Sequence, residues 1–180
     1  MHQLKVLLPA RFEDNRGFFS ETWNKARLAG QGIEIDFVQD NHSLSYEAGT
    51  VRGLHFQAPP HAQAKLVRCG SGRLLDITVD IRIGSPTYGQ WAGEELSFQN
   101  GKQLFVPVGF LHGFITLEPN TEINYKCSDY YAPECEGAVR FDDPDIGIAW
   151  PIDPANALLS DKDAAAPLLR DLNNPFRYED

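Results

Sequence analysis

Apolar and polar residues alternate along much of this chain. In "LLDITVDIR", Leu75, Ile77, Val79 and Ile81 fall on one side, and Asp76, Thr78, Asp80 and Arg82 on the other. Successive side chains of a strand point to opposite faces, so this period of two predicts a half-buried β-strand. "EINYKC" alternates likewise, with Ile123, Tyr125 and Cys127 against Glu122, Asn124 and Lys126. "AKLVRC" is less regular: Lys65 shares parity with Val67 and Cys69, and Leu66 opposes them. Turn signals recur at short intervals, among them "EAG", "GSG", "QNG", "EPN" and "DDPD". "DNRGFFSE" reads as a type I turn, Asp14 first and Gly17 fourth, entering a strand. Helical pattern is scarce. "NKARLAG" predicts one short helix closed by Gly30, and the tail around Leu168 to Leu172 another. Many short strands between turns predict an all-β sandwich or barrel, and with no linker or repeat residues 1–180 read as one domain.

Composition narrows the partners more than the fold. A chain of 180 residues can bury a core without staples, and 42% hydrophobic with 23% charged residues describes an ordinary soluble globule. The 3 cysteines, Cys69, Cys127 and Cys135, form no C-x-x-C pair, which predicts free thiols in the reducing cytoplasm. No apolar run is long enough for a signal peptide or a membrane span, so no membrane partner is expected. A net charge of -9 argues against nucleic acid, and any anion site must be a local cluster of cations.

One such cluster stands out. "TVRGLHFQAPPHAQAKLVRC" sets Arg52, His55 and Lys65 among apolar neighbours, where unmatched positive charge is costly. An anion is the expected partner. A lone His in an apolar strand is often a satisfied core residue; Arg52 and Lys65 nearby favour the uncharged imidazole, which suits a general base. "LSDKDAAAP" reads either as a helix start capped by Ser160 or as a loop whose Asp163 orients a histidine. Pro167 leaves little helix to cap. Tyr125 lies on the apolar face of its strand, and its phenol is a proton donor if that face lines a cavity. Arg16 is either a solvated turn residue or a guanidinium fork for phosphate, with Phe18 or Phe19 offering a stacking surface. "GKQLFVPVGFLH" has the look of the second half-motif of the cupins, double-sheet jelly rolls with a ligand cavity. The matching first half-motif lacks its paired histidines: His55 stands alone and His61 follows after a gap, so no metal is expected.

Taken together, "RGFF", "FVQDNHS", "RGLHFQ", "AKLVRC", "DIRIGSPTYGQW", "PVGFLHGF" and "LSDKDAAAPLL" resemble the dTDP-4-dehydrorhamnose 3,5-epimerases. The blocks run in family order from about residue 10 to 170. That resemblance implies a cupin-like double-sheet jelly roll with a few short helices, no cofactor, and a homodimer whose N-terminal strand contributes to the partner's site. It implies a dTDP-sugar substrate whose pyrophosphate and enolate are the anions sought. It also implies His55 as base, Asp163 as its partner, Tyr125 as acid and Lys65 beside the oxyanion. Arg16, Glu21, Gln39, Asp40, Asn41, Arg52, His112, Tyr131, Glu136 and Lys162 fall where the family contacts its nucleotide-sugar. Val51 stands where leucine is commoner. A one-carbon epimerase or ketoisomerase on the same scaffold, a metal-dependent cupin oxygenase and a non-catalytic sugar-binding module are the alternatives.

Overall fold

The computed structural model describes residues 3–178. In chain order the strands are β1 (Lys5–Leu7), β2 (Phe12–Asp14), β3 (Gly17–Phe19), β4 (Gln39–Ser45), β5 (Val51–Gln57) and β6 (Lys65–Ser71). There follow β7 (Arg73–Asp80), β8 (Trp91–Ser97), β9 (Gln103–Val106), β10 (Phe110–Thr116), β11 (Thr121–Cys127) and β12 (Glu136–Ala138). Two short helices, α1 (Lys25–Ala29) and α2 (Asp161–Ala164), interrupt them. The strands build two five-stranded sheets, ordered β1-β9-β6-β11-β4 and β12-β5-β10-β7-β8, with β2-β3 as a separate hairpin. Among the described residues every pairing between these strands is antiparallel. This is the all-β double-sheet jelly roll expected.

The two sheets pack face to face around Val67, Cys69, Leu104 and Ile123 from the first and Leu74, Leu96, Phe110 and Phe114 from the second. Each outer face is covered too. Leu54, Phe56, Ile77, Val79 and Leu111 meet Val139, Ile146, Leu169 and Phe176 of the C-terminal segment. Leu66 and Phe105 of the first sheet meet Leu28 and Ile33 near α1. Sheets covered on both sides correct one expectation. The polar positions of β7 do not face solvent: Asp76, Thr78 and Asp80 are each 0% exposed and point between the sheets. Asp80 is held there by hydrogen bonds from Arg82, Ser85 and Thr87.

Helix α1 forms where "NKARLAG" placed it, with the Asn24 side chain accepting from the Arg27 N–H and Gly30 as its C-cap. The tail is different. Leu169–Asp171 makes a single 3-10 turn, because Leu168 is extended and the Leu169 N–H is taken by the buried Asp143 carboxylate at 2.6 Å. Among the described residues no helix is long and apolar enough to cross a membrane.

Candidate active site

A cavity of about 460 Å³ opens between the sheets, lined by His55, Lys65, His112, Tyr125, Arg52 and Asp163 among others. Lys65 and Tyr125 come from the first sheet, on β6 and β11. They point inward because they share parity with Val67 and Ile123 of the core. His55 and His112 come from the second sheet and sit directly opposite one another on β5 and β10.

Arg52 and His55 share the cavity for a less regular reason. Gly53 and Leu54 separate them, and in an uninterrupted strand that spacing puts them on opposite faces. The register between β5 and β10 slips here: His112 pairs with His55 but Phe114 with Arg52. The extra residue is a β-bulge, which turns both basic side chains inward and sends Leu54 to the outer core. Glycine permits it. Gly53 has φ +119°, and a Cβ there would lie 2.7 Å from Gly113 Cα.

Helix α2 brings in the carboxylate. Ser160 caps it by accepting from the Asp163 N–H at 3.1 Å, and the Asp163 side chain lies 2.5 Å from His55 Nε2. The two readings of "LSDKDAAAP" are therefore both realised: the short cap aims the carboxylate. Burial pushes the Asp163 carboxyl up, but hydrogen bonds from His55, Ser160 and the Gly53 N–H hold it below its ordinary value. An ionised Asp163 can only accept, so His55 Nε2 carries the proton. Nδ1 has no hydrogen-bond partner among the described residues, and His55 lines the cavity.

Lys65 is half-buried, and its ammonium has no hydrogen-bond or ion-pair partner among the described residues. Burial lowers its pKa, opposed by the nearby Cys127, Asp76 and Glu136. Burial raises that of Tyr125, with Arg52 and the Asn41 side chain pulling it back, so the phenol stays protonated at neutral pH. A proton acceptor, a proton donor and an unpaired cation thus share one pocket. Among the described residues no three His, Cys, Asp or Glu side chains form a group that could hold a metal ion.

The other candidates divide into three sets. Arg52, His112 and Lys162 line the cavity with the four above. Gln39, Tyr131 and Glu136 form a chain beside Lys162: Gln39 Oε1 accepts from the Tyr131 N–H, Tyr131 donates to Glu136, and Glu136 pairs with Lys162 at 2.5 Å. Asn41, opposite Tyr125, accepts from Gln39 and donates to Cys127 Sγ. The third set lies elsewhere. Asp40 has the opposite parity to Gln39 and Asn41 and pairs with Lys126 on the outer face. Arg16 stands at the hairpin tip, its side chain 84% exposed and paired among the described residues with Asp14 alone, and Glu21 sits beside Arg27. None of these three reaches the cavity of its own chain. Sequence reading missed Asp76, which lies 2.9 Å from His112 Nε2; its alternation with apolar residues marked it as solvent-facing.

Residues 1–171 match the family model described as dTDP-4-dehydrorhamnose 3,5-epimerase. The chain is 48% identical over 176 residues to the dTDP-4-dehydrorhamnose 3,5-epimerase of Sinorhizobium fredii, covering 98% of this chain and 90% of that protein. The Salmonella typhimurium enzyme of the same name is 50% identical over 165 residues, covering 91% and 89%. Among solved structures, the dTDP-6-deoxy-D-glucose-3,5-epimerase of Legionella pneumophila, in complex with dTDP-4-keto-L-rhamnose, superposes with a TM-score of 0.95. It is 43% identical, covering 100% of this chain and 96% of that one.

Proposed function

The chain belongs to the dTDP-4-dehydrorhamnose 3,5-epimerase family, and from that premise we propose how its cavity inverts C3 and C5 of dTDP-4-dehydro-6-deoxy-D-glucose. The product is dTDP-4-dehydro-L-rhamnose, on the route to dTDP-L-rhamnose and the surface polysaccharides built from it. One observation carries the reading: an imidazole from one sheet and a phenol from the other line a single cavity.

The C4 ketone acidifies the hydrogens on both neighbouring carbons. His55 Nδ1 takes the proton from C3 or C5, and the electron pair moves through the new double bond onto O4. Asp163 stabilises the imidazolium that forms, as a carboxylate does in other His–Asp pairs. The Lys65 ammonium meets the charge on O4, and such electrostatic stabilisation is usually the largest catalytic contribution. Tyr125 then protonates the carbon from the opposite face, which inverts it. Solvent restores the proton to Tyr125 and removes the one on His55 before the second carbon reacts. Arg52, His112, Lys162, Glu136, Tyr131, Gln39 and Asn41 hold the nucleotide-sugar around this centre.

Arg16, Asp40 and Glu21 fit the same reading only in a homodimer. The hairpin that carries Arg16 exposes Phe12 at 60% and Phe19 at 68%, apolar surface that suits a partner subunit. In that assembly the N-terminal segment supplies its guanidinium and aromatic rings to the partner's cavity. Free Cys69, Cys127 and Cys135 suit the cytoplasm, where the nucleotide-sugar is made and used.

The test is incubation with dTDP-4-keto-6-deoxyglucose in heavy water, followed by NMR of both ring positions. Wild-type protein is expected to place one deuterium at C3 and one at C5. The His55→Asn variant is expected to place none while still binding dTDP. Full exchange by that variant would overturn the assignment of the base; exchange at a single carbon would make the protein a one-carbon epimerase.

A further inference from the structure

His112 has a carboxylate of its own. Its Nε2 lies 2.9 Å from Asp76 Oδ1 and 3.0 Å from Oδ2, and the hydrogen bond goes to Oδ2. The Asp76 side chain is 0% exposed, and Oδ1 is left with no hydrogen-bond partner. A fully buried carboxylate that rests on a single imidazole N–H is costly and calls for positive charge nearby. Its interior neighbours on β7 supply none: Leu74 is apolar, and the Thr78 hydroxyl turns to the Ala92 carbonyl at 3.5 Å. The compensating groups lie across the cavity and on the adjacent strand.

We propose that Asp76 is a positioning residue of the site: it fixes His112 with Nδ1 turned to the cavity where the oxyanion forms. This rests on the epimerase reading and adds a second His–Asp pair to it. The two imidazoles are cross-strand partners, His55 backed by Asp163 and His112 by Asp76. The backing differs in its enclosure. The His55 ring is 28% exposed beside α2, whereas the His112 ring is 8% exposed over a carboxylate sealed between the sheets. The first pair is placed to exchange its proton with solvent, as a base must. The second is placed to hold still. With Nε2 committed to Asp76 and Nδ1 without a partner among the described residues, His112 has one polar atom left, and it is available only to what enters the cavity. Asp76 also acts through space on Lys65, opposing the loss of its proton on burial.

The experiment replaces Asp76 by asparagine, which keeps an acceptor for His112 and removes only the charge. Deuterium exchange is followed from about pH 6 to 10, with dTDP affinity measured in parallel. The exchange rate is expected to fall on the order of 10²-fold, the scale of losing one oxyanion-stabilising group, with dTDP affinity unchanged. The alkaline limb of the profile is expected to move to lower pH, because Lys65 loses an anion that favours its charged form. The other charged or titratable groups facing this region stay in place: Arg52 and His55 on β5, Tyr125 and Cys127 on β11, Glu136 on β12, and Lys162 and Asp163 on α2. A merely structural role for Asp76 lowers stability without moving that limb. A folded variant with wild-type rate and profile would overturn the proposal and leave the epimerase reading intact. Absence of exchange by the wild-type protein would instead sink the epimerase reading itself. Should the variant fail to fold, nitrogen-15 NMR of the wild-type His112 ring decides: a proton on Nε2 supports the proposal, and a ring protonated only on Nδ1 refutes it.

Discussion

Replacing Asp163 by asparagine isolates the charge that His55 needs during proton abstraction. The amide can still accept from His55 Nε2, and Ser160 still caps α2 through the backbone N–H of residue 163, so the geometry survives. What is lost is the attraction between the carboxylate and the imidazolium as it forms. The carboxylate side chain is 5% exposed and the imidazole 28%, so solvent screens this pair less than a surface one. With charge centres about 4 Å apart and an effective dielectric near 20, the attraction is about 4 kcal/mol. At about 1.4 kcal/mol per tenfold in rate, and with the proton partly transferred in the transition state, exchange is expected to slow by about 10² to 10³. Binding of dTDP is expected to stay within about twofold, because asparagine keeps the size and the hydrogen-bonding geometry of the side chain at position 163. The assay is single-turnover deuterium incorporation at C3 and C5 by NMR, with a urea transition to verify folding. A folded Asp163→Asn protein whose exchange rate lies within about fivefold of wild type would refute the charge argument, whatever its dTDP affinity.

Two further predictions follow from the backbone and from acid titration. Gly113→Ala puts a methyl group 2.8 Å from the Arg52 carbonyl oxygen and 2.9 Å from Leu54 Cδ2. The β5-β10 pair must spread where it carries His55 and His112, so a loss of about 1–3 kcal/mol in a urea titration is expected together with slowed exchange; unchanged values for both would contradict the close approach. Asp80 is pushed up by burial but held well below the ordinary carboxylate range by Arg82, Ser85 and Thr87. A carboxylate whose folded pKa is depressed contributes stability above its unfolded value, and that stability is lost as pH falls through the folded one. The protein is therefore expected to weaken progressively below about pH 5, and Asp80→Asn to be less stable at neutrality with a flatter acid dependence. Denaturant midpoints between pH 3 and 7 measure this, and an unaltered acid slope in the variant would refute it.

How much of this was legible in the sequence depends on which rule each residue obeys. Strands that alternate cleanly, such as β11, announced both their existence and the inward direction of Tyr125. The same rule misjudged β7, because alternation reports two unlike faces and not which of them meets water. Asp76 and Asp80 are polar residues on an interior face, and only a cavity or a buried network on that side makes such a face stable. Arg52 and His55 defeat the rule in another way. Their spacing predicts opposite faces, and a bulge at Gly53 and Leu54, invisible to periodicity, reunites them. Asp163 lies far along the chain from His55, and no local pattern links the two; the resemblance of the motif blocks suggested the pair, and the fold brings it to 2.5 Å.

That division of labour between regular and irregular backbone has a chemical consequence. Epimerisation needs a base and an acid on opposite sides of one carbon, held apart so that they do not neutralise each other. Two residues of the same strand face lie side by side and cannot bracket a ring. Facing sheets stand about 10 Å apart, which leaves room for a sugar between side chains that reach inward from each. His55 and His112 from the second sheet and Tyr125 and Lys65 from the first meet that demand. The bulge in β5 adds Arg52 to the same wall as the base, so cationic charge and proton acceptor share the cavity without sharing a strand parity. A mutation that restores regular pairing in β5, by deleting one residue of the bulge, would keep the sheet and turn Arg52 or His55 away from the substrate.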